Sequence, residues 1–179
     1  MTNKNKKGFT IIEVVLVLAI AGLIFLMVFI ALPALQRSQR NTQRANDMSR
    51  FLTAVNQYQS NNSGKTPFSK SDTGSWDYDT QFIKRYIDNT CNASDTPSCS
   101  AGEFKDPDGS NYSFVNKGTG AVTDVAPTVA NGAVDHKIYV VLKAMCGDTE
   151  NNSKTSPGKR DLAFFYNMEG GSVRCFDNQ

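Results

Sequence analysis

The sequence predicts an α+β protein: one long N-terminal helix, apolar in its first half and amphipathic in its second, packed on a small antiparallel β-sheet. Three observations predict it. Residues 14–35 form a run of 22 positions with no charged or strongly polar side chain. Apolar residues then recur at Ala45, Met48, Phe51, Leu52, Val55 and Tyr58, the three-and-four spacing of one helix face. Beyond Gly64 the chain changes to turn residues and short β-branched or aromatic runs.

The elements follow in chain order. Residues 1–8 form a short basic leader, residues 9–35 an apolar helix, residues 36–62 its amphipathic continuation, and residues 63–179 a globular head. At ~1.5 Å per residue the apolar run makes a helix about 33 Å long, enough to cross a hydrocarbon core of roughly 30 Å. Pro33 removes one hydrogen bond, which loosens the preceding turn without requiring the helix to end. Arg37, Arg40 and Arg44 share one side of the continuation, as a contact for acidic groups of neighbouring molecules or as a solvated face near lipid headgroups. The polar run Ser60-Asn61-Asn62-Ser63-Gly64 is the expected exit.

In the head, residues 79–89 read as a short helix, and Asp106-Pro107-Asp108-Gly109 as a turn leading into a strand at 111–115. Residues 117–131 show no clear period. Residues 137–145 form a strong strand. Residues 162–168 and 173–176 form a hairpin about Glu169-Gly170-Gly171, and 147–160 a polar surface loop. Asp106, Asp108 and Asn111 offer oxygen ligands in a tight loop. A calcium site there lacks the third acid and distal glutamate of an EF-hand, so a plain turn is preferred.

Charge and cysteines narrow the function. There are 19 Lys+Arg against 17 Asp+Glu, and a leader carrying Lys4, Lys6 and Lys7 accounts for the surplus. A mature chain near neutrality is no general nucleic-acid binder. Cys91, Cys99, Cys146 and Cys175 lack the close Cys/His spacing of zinc sites, and their even number beyond an apolar segment fits disulfides in an oxidising compartment. Of the three connectivities, the chosen one joins Cys146 to Cys175 through neighbouring strands and closes a short loop between Cys91 and Cys99. No phosphate-binding glycine loop occurs, and His136 beside Asp135 lacks a nucleophile motif. Neither a cofactor nor an enzymatic activity is expected.

The segment Lys6-Lys7-Gly8-Phe9-Thr10-Ile11-Ile12-Glu13 leads directly into the apolar run. It resembles the class III signal of type IV prepilins and of the pseudopilins of type II secretion: a basic leader, a glycine, an aromatic first mature residue and a glutamate at the fifth mature position. The resemblance covers about residues 4–35. It implies the pilin fold, cleavage of the Gly8–Phe9 bond by a prepilin peptidase, and N-methylation of Phe9. Cleavage there keeps the apolar helix in the product, unlike an ordinary secretory signal.

The resemblance further implies that Glu13 neutralises the Phe9 amine of a neighbouring copy within a filament. Gly22 and Pro33 bound the interval in which the helix locally unwinds. The implied partners are copies of the chain, related pilins, the membrane, and an inner-membrane platform driven by a separate cytoplasmic ATPase. The product is a surface filament for adhesion, surface motility or DNA uptake. A pseudopilin of a secretion system, or an anchored extracytoplasmic binding domain that never polymerises, are the alternatives.

Overall fold

Helix α1 spans Ile11–Asn61, 51 residues, and continues through Pro33. In this computed structural model, residues 8–70, 76–78, 81–89, 104–127, 129 and 132–179 are described. The chain divides into two compact units, Met1–Gln39 and Arg40–Gln179, so α1 contributes to both.

Over residues 14–35 the helix carries only apolar side chains, with Phe25, Met27 and Phe29 among the exposed ones. In the second unit one face is buried: Met48, Phe51, Val55 and Tyr58, at the spacing read from the sequence. The helix ends on two left-handed residues, Ser63 (φ 55°) and Gly64 (φ 76°). The Gly64 N–H donates to the Gln59 carbonyl at 2.6 Å, satisfying one of the orphan acceptors of the last turn.

Among the described residues the head has eight short strands: β1 (Phe68–Lys70), β2 (Trp76–Tyr78), β3 (Ser113–Thr119), β4 (Lys137–Leu142), β5 (Ala144–Cys146), β6 (Ser153–Thr155), β7 (Leu162–Asn167) and β8 (Val173–Asp177). The main sheet has the order β3-β4-β7-β8, flanked by the pairs β1-β2 and β5-β6. One sheet face packs on α1. Phe51 lies at its centre, with the rings of Phe68, Phe82, Phe104, Phe114 and Phe164 at centroid distances of 5.0–6.1 Å. On the other face Tyr139, Val141, Ala163, Phe165 and Val173 pack with Val125 and Ala126. Every residue of β7 is therefore buried, as expected of a strand covered on both sides.

The α+β class holds, and the sheet differs from the expected antiparallel one in a single pairing. Strands β4, β7 and β8 are antiparallel neighbours, while β3 runs parallel to β4. Parallel neighbours need a crossover of a dozen or more residues. The chain between β3 and β4 supplies it, and within it Val125 and Ala126 cover the second sheet face; residues 117–119, read without a period, belong to β3, which extends past the expected 111–115.

Three local expectations also change. The strong strand breaks at Lys143, whose φ of 51° re-aims the chain, and β5 follows as a separate strand. The loop at 147–160 contains β6, paired with β5 from Ala144↔Thr155 to Cys146↔Ser153. The short helix is one wide turn, Ile83–Ile87, closed by an Asp88 N–H to Ile83 carbonyl bond of 2.8 Å.

Candidate functional site

The start of α1 is built by Thr10 and Glu13. Thr10 precedes the first helical residue, and Glu13 follows it by three positions, the spacing of a capping box. The Glu13 Oε2 atom accepts the Thr10 backbone N–H at 2.8 Å and the Thr10 hydroxyl at 2.8 Å. In return the Glu13 N–H points to Thr10 Oγ1 at a longer 3.4 Å. Among the described residues, Thr10 is the sole hydrogen-bond partner of the Glu13 carboxylate. Thr10 has no part in the site as expected from sequence, although the Thr-x-x-Glu spacing spelled out this contact.

Gly8 and Phe9 lie immediately before this box. Both are exposed, Phe9 at 90%, and no atom stands within 4 Å of a Cβ placed on Gly8. Gly22 is likewise open to close approach, with nothing within 4 Å, and Pro33 lies inside the uninterrupted helix. The exposed side chains of Ile12, Leu16, Leu23, Phe25, Leu26 and Phe29 make this segment a surface that water solvates poorly. It is long and apolar enough to cross a membrane.

In the head, two of the three arginines of the stripe pair with acids of the same chain, Arg44 fully buried and Arg40 still 36% exposed. Arg44 is 1% exposed and Asp106 2%. Arg44 donates from Nε to Asp106 Oδ2 and from Nη2 to Oδ1, both at 2.7 Å, and from Nη1 to Glu169 Oε1 at 2.7 Å. Arg40 grips Glu169 through both carboxylate oxygens at 2.7 Å. Hydrogen bonds from Arg40 and Arg44 hold the Glu169 carboxyl down at about 2 against the opposing effect of burial. Arg37 is exposed.

The Asp106 carboxylate also accepts the Tyr166 hydroxyl at 2.6 Å and the Asp108 N–H at 3.1 Å. Asp108 in turn contacts His136 Nε2 at 2.6 Å. Ligand atoms of Asp106, Asp108 and His136 lie within 4.8 Å of one another. The Arg44 guanidinium already supplies positive charge to both Asp106 oxygens, and the loop makes the Asx-type turn read from its sequence.

Cys146 of β5 and Cys175 of β8 are joined by a disulfide with a Cα–Cα distance of 5.8 Å. The neighbouring Asp177 carboxylate accepts the Cys146 N–H at 2.9 Å, so this corner of the head is closed by a covalent and a polar link. Cys91 and Cys99 lie outside the described residues.

Residues 3–29 match the family model of the prokaryotic N-terminal methylation motif. The chain carries a type IV pilin-like class III signal. The matched residues contain the Gly8–Phe9 bond, the Thr10–Glu13 box and most of the exposed apolar segment. The long N-terminal helix with an antiparallel-rich sheet is consistent with the pilin fold. Signal and apolar helix together support a membrane-anchored protein. No curated protein and no solved structure matches the chain.

Proposed function

We propose that the chain is the structural subunit of a type IV pilus-like filament, cleaved between Gly8 and Phe9, methylated on Phe9 and polymerised through α1. One observation carries this reading: the methylation motif runs in register into an exposed apolar helix that continues unbroken into a folded, disulfide-linked head. The motif supplies a processing signal, the helix a segment that needs a nonaqueous environment, and the head a domain suited to an oxidising exterior.

The chemistry of assembly follows from these parts. Before assembly, lipid surrounds the apolar half of α1. An ionised carboxylate at the edge of such a segment costs several kcal/mol unless it is paired. Proteolysis at Gly8 supplies a partner, because it turns the Phe9 nitrogen into a cationic amine. Lipid tails are as apolar as leucine, so helices leave lipid for one another through close packing and polar pairing. Gly22 permits the first, and Glu13 with the Phe9 amine of an adjoining copy provides the second. Pairing between copies fixes their axial stagger.

Prepilin peptidase, a membrane platform and a separate ATPase are the partners this cycle requires. The filament serves adhesion, surface motility or DNA uptake. Glu13→Ala tests the reading: the membrane pool of cleaved subunit stays at its native level, and surface filaments disappear. Filaments of native yield from Glu13→Ala would refute it.

A further inference from the structure

Three cations of the head converge on one pocket that takes no part in the chemistry of assembly. Arg50 comes from α1, and Lys84 and Arg85 from the wide turn Ile83–Ile87. Ile83 and Ile87 of that turn are buried at 6% exposure each, so its two basic residues are left on the outside. Arg50, Lys84 and Arg85 are exposed and line an open pocket of about 390 Å³ with Asp88 and Asn89 at its edge.

The pocket carries positive charge that the chain does not neutralise. Arg50 Nη2 donates to the Ile87 carbonyl at 2.5 Å, which ties the helix arginine to the end of the turn. Among the described residues no ion pair joins Arg50, Lys84 or Arg85 to an acid. Asp88 is 7% exposed and takes the Phe104 N–H on Oδ2 at 3.1 Å. Asp47 acts on Arg50 electrostatically, but its carboxylate takes the Tyr112 hydroxyl at 2.9 Å. Like charges around one concavity repel until an anion enters, and a guanidinium pairs with carboxylate or sulfate oxygens through two bonds at once.

We infer that this pocket binds the acidic group of a polysaccharide, a sugar carrying carboxylate or sulfate. Its volume is that of a small-ligand site, roughly 300–1,000 Å³, and the exposed Asn89 amide offers a donor and an acceptor for sugar hydroxyls. A nucleic acid fits less well. It is held by a groove of cations that tracks the backbone, whereas these three close on one bounded pocket. Without Lys4, Lys6 and Lys7 the chain also has 16 Lys+Arg against 17 Asp+Glu, no surplus for an extended polyphosphate. The inference concerns the head alone and goes beyond the filament reading, so it holds whether or not the chain polymerises.

The test measures binding of a short, fluorescently labelled heparin oligosaccharide to the detergent-solubilised full chain, with uncharged dextran and duplex DNA as the other ligands. The native chain is expected to bind heparin, to ignore dextran and to bind DNA about tenfold more weakly. Lys84→Ala with Arg85→Ala is expected to weaken heparin binding about tenfold or more, the size of one hydrogen bond to a charged group. Lys84→Arg with Arg85→Lys keeps the charges and most of the binding. Lys154→Ala, an exposed cation of β6 outside the pocket, leaves binding at its native level. Absence of heparin binding, native affinity in the double alanine variant, or an equal loss in Lys154→Ala overturns the inference. DNA bound as tightly as heparin overturns it in favour of a nucleic-acid partner.

Discussion

Arg44 and Asp106 form a doubly bonded ion pair at the base of the head, Nε to Oδ2 and Nη2 to Oδ1 at 2.7 Å each, with side chains 1% and 0% exposed. Burying two charges is costly, and the pair is tolerated because Glu169 and Tyr166 complete its hydrogen bonds. Removing one partner leaves the other charged and dry. Arg44→Met is expected to destabilise the head by roughly 3–5 kcal/mol, whereas Arg44→Met with Asp106→Leu recovers most of that loss. Chemical denaturation of the detergent-solubilised chain measures both. Equal losses for the single and the double variant would show that the two charges do not act as a pair.

Acid should weaken the same cluster through Glu169. Its carboxyl is held near 2 rather than the ordinary 4.5, first by the Arg40 hydrogen bonds and then by Arg44, with burial acting the other way. A lowered folded-state value means that the stabilisation is complete above about pH 4.5 and is lost as pH falls toward 2. Asp108, also held near 2, loses its contribution in a similar range. Subtracting the melting profile of Glu169→Gln from the native one isolates the Glu169 part. The difference is expected to shrink between pH 4.5 and 2 and to stay constant from pH 5 to 7.

The Cys146–Cys175 link closes a segment with a sequence separation of 29. A loop of that size restricts the unfolded chain by roughly 3–4 kcal/mol. Cys146→Ser with Cys175→Ser, or reduction, is expected to lower the midpoint of head unfolding accordingly. Non-reducing peptide mapping checks the connection directly by recovering the two strands as one linked species.

Gly64 stands where a side chain is refused twice. Its φ of 76° is left-handed, and a Cβ placed there would overlap the Arg160 guanidinium. Gly64→Ala is expected to cost ~1–2 kcal/mol from backbone strain alone. The steric part should vanish in an Arg160→Ala background, which thermal melts of the four combinations can separate.

The helical half of the fold was legible in the sequence because its signals are local. Met48, Phe51, Val55 and Tyr58 recur at one helical period, and the apolar run from 14 to 35 is unbroken by charge. Strand existence was legible for the same reason in β4, β7 and β8. The parallel pairing of β3 with β4 was not, since it depends on the path between them, where Gly120, Val122 and Ala126 are held by Ser153 of β6 and by Asn151 just before it, 25 to 33 residues further along the chain.

The arginine stripe shows the same limit. Spacing placed Arg40 and Arg44 on one side of α1, but their partners Asp106 and Glu169 lie 62 to 129 residues away. At the N-terminus the opposite holds. Gly8, Phe9 and Glu13 were readable as a signal, and the Thr10 contact is encoded within three residues of Glu13.

The most direct measurement is mass spectrometry of fibres sheared from the cell surface. This chain is expected among the components of the fibres, with an N-methylated Phe9 as its first residue. A chain missing from the fibres and retained in the membrane with Met1 intact would contradict it.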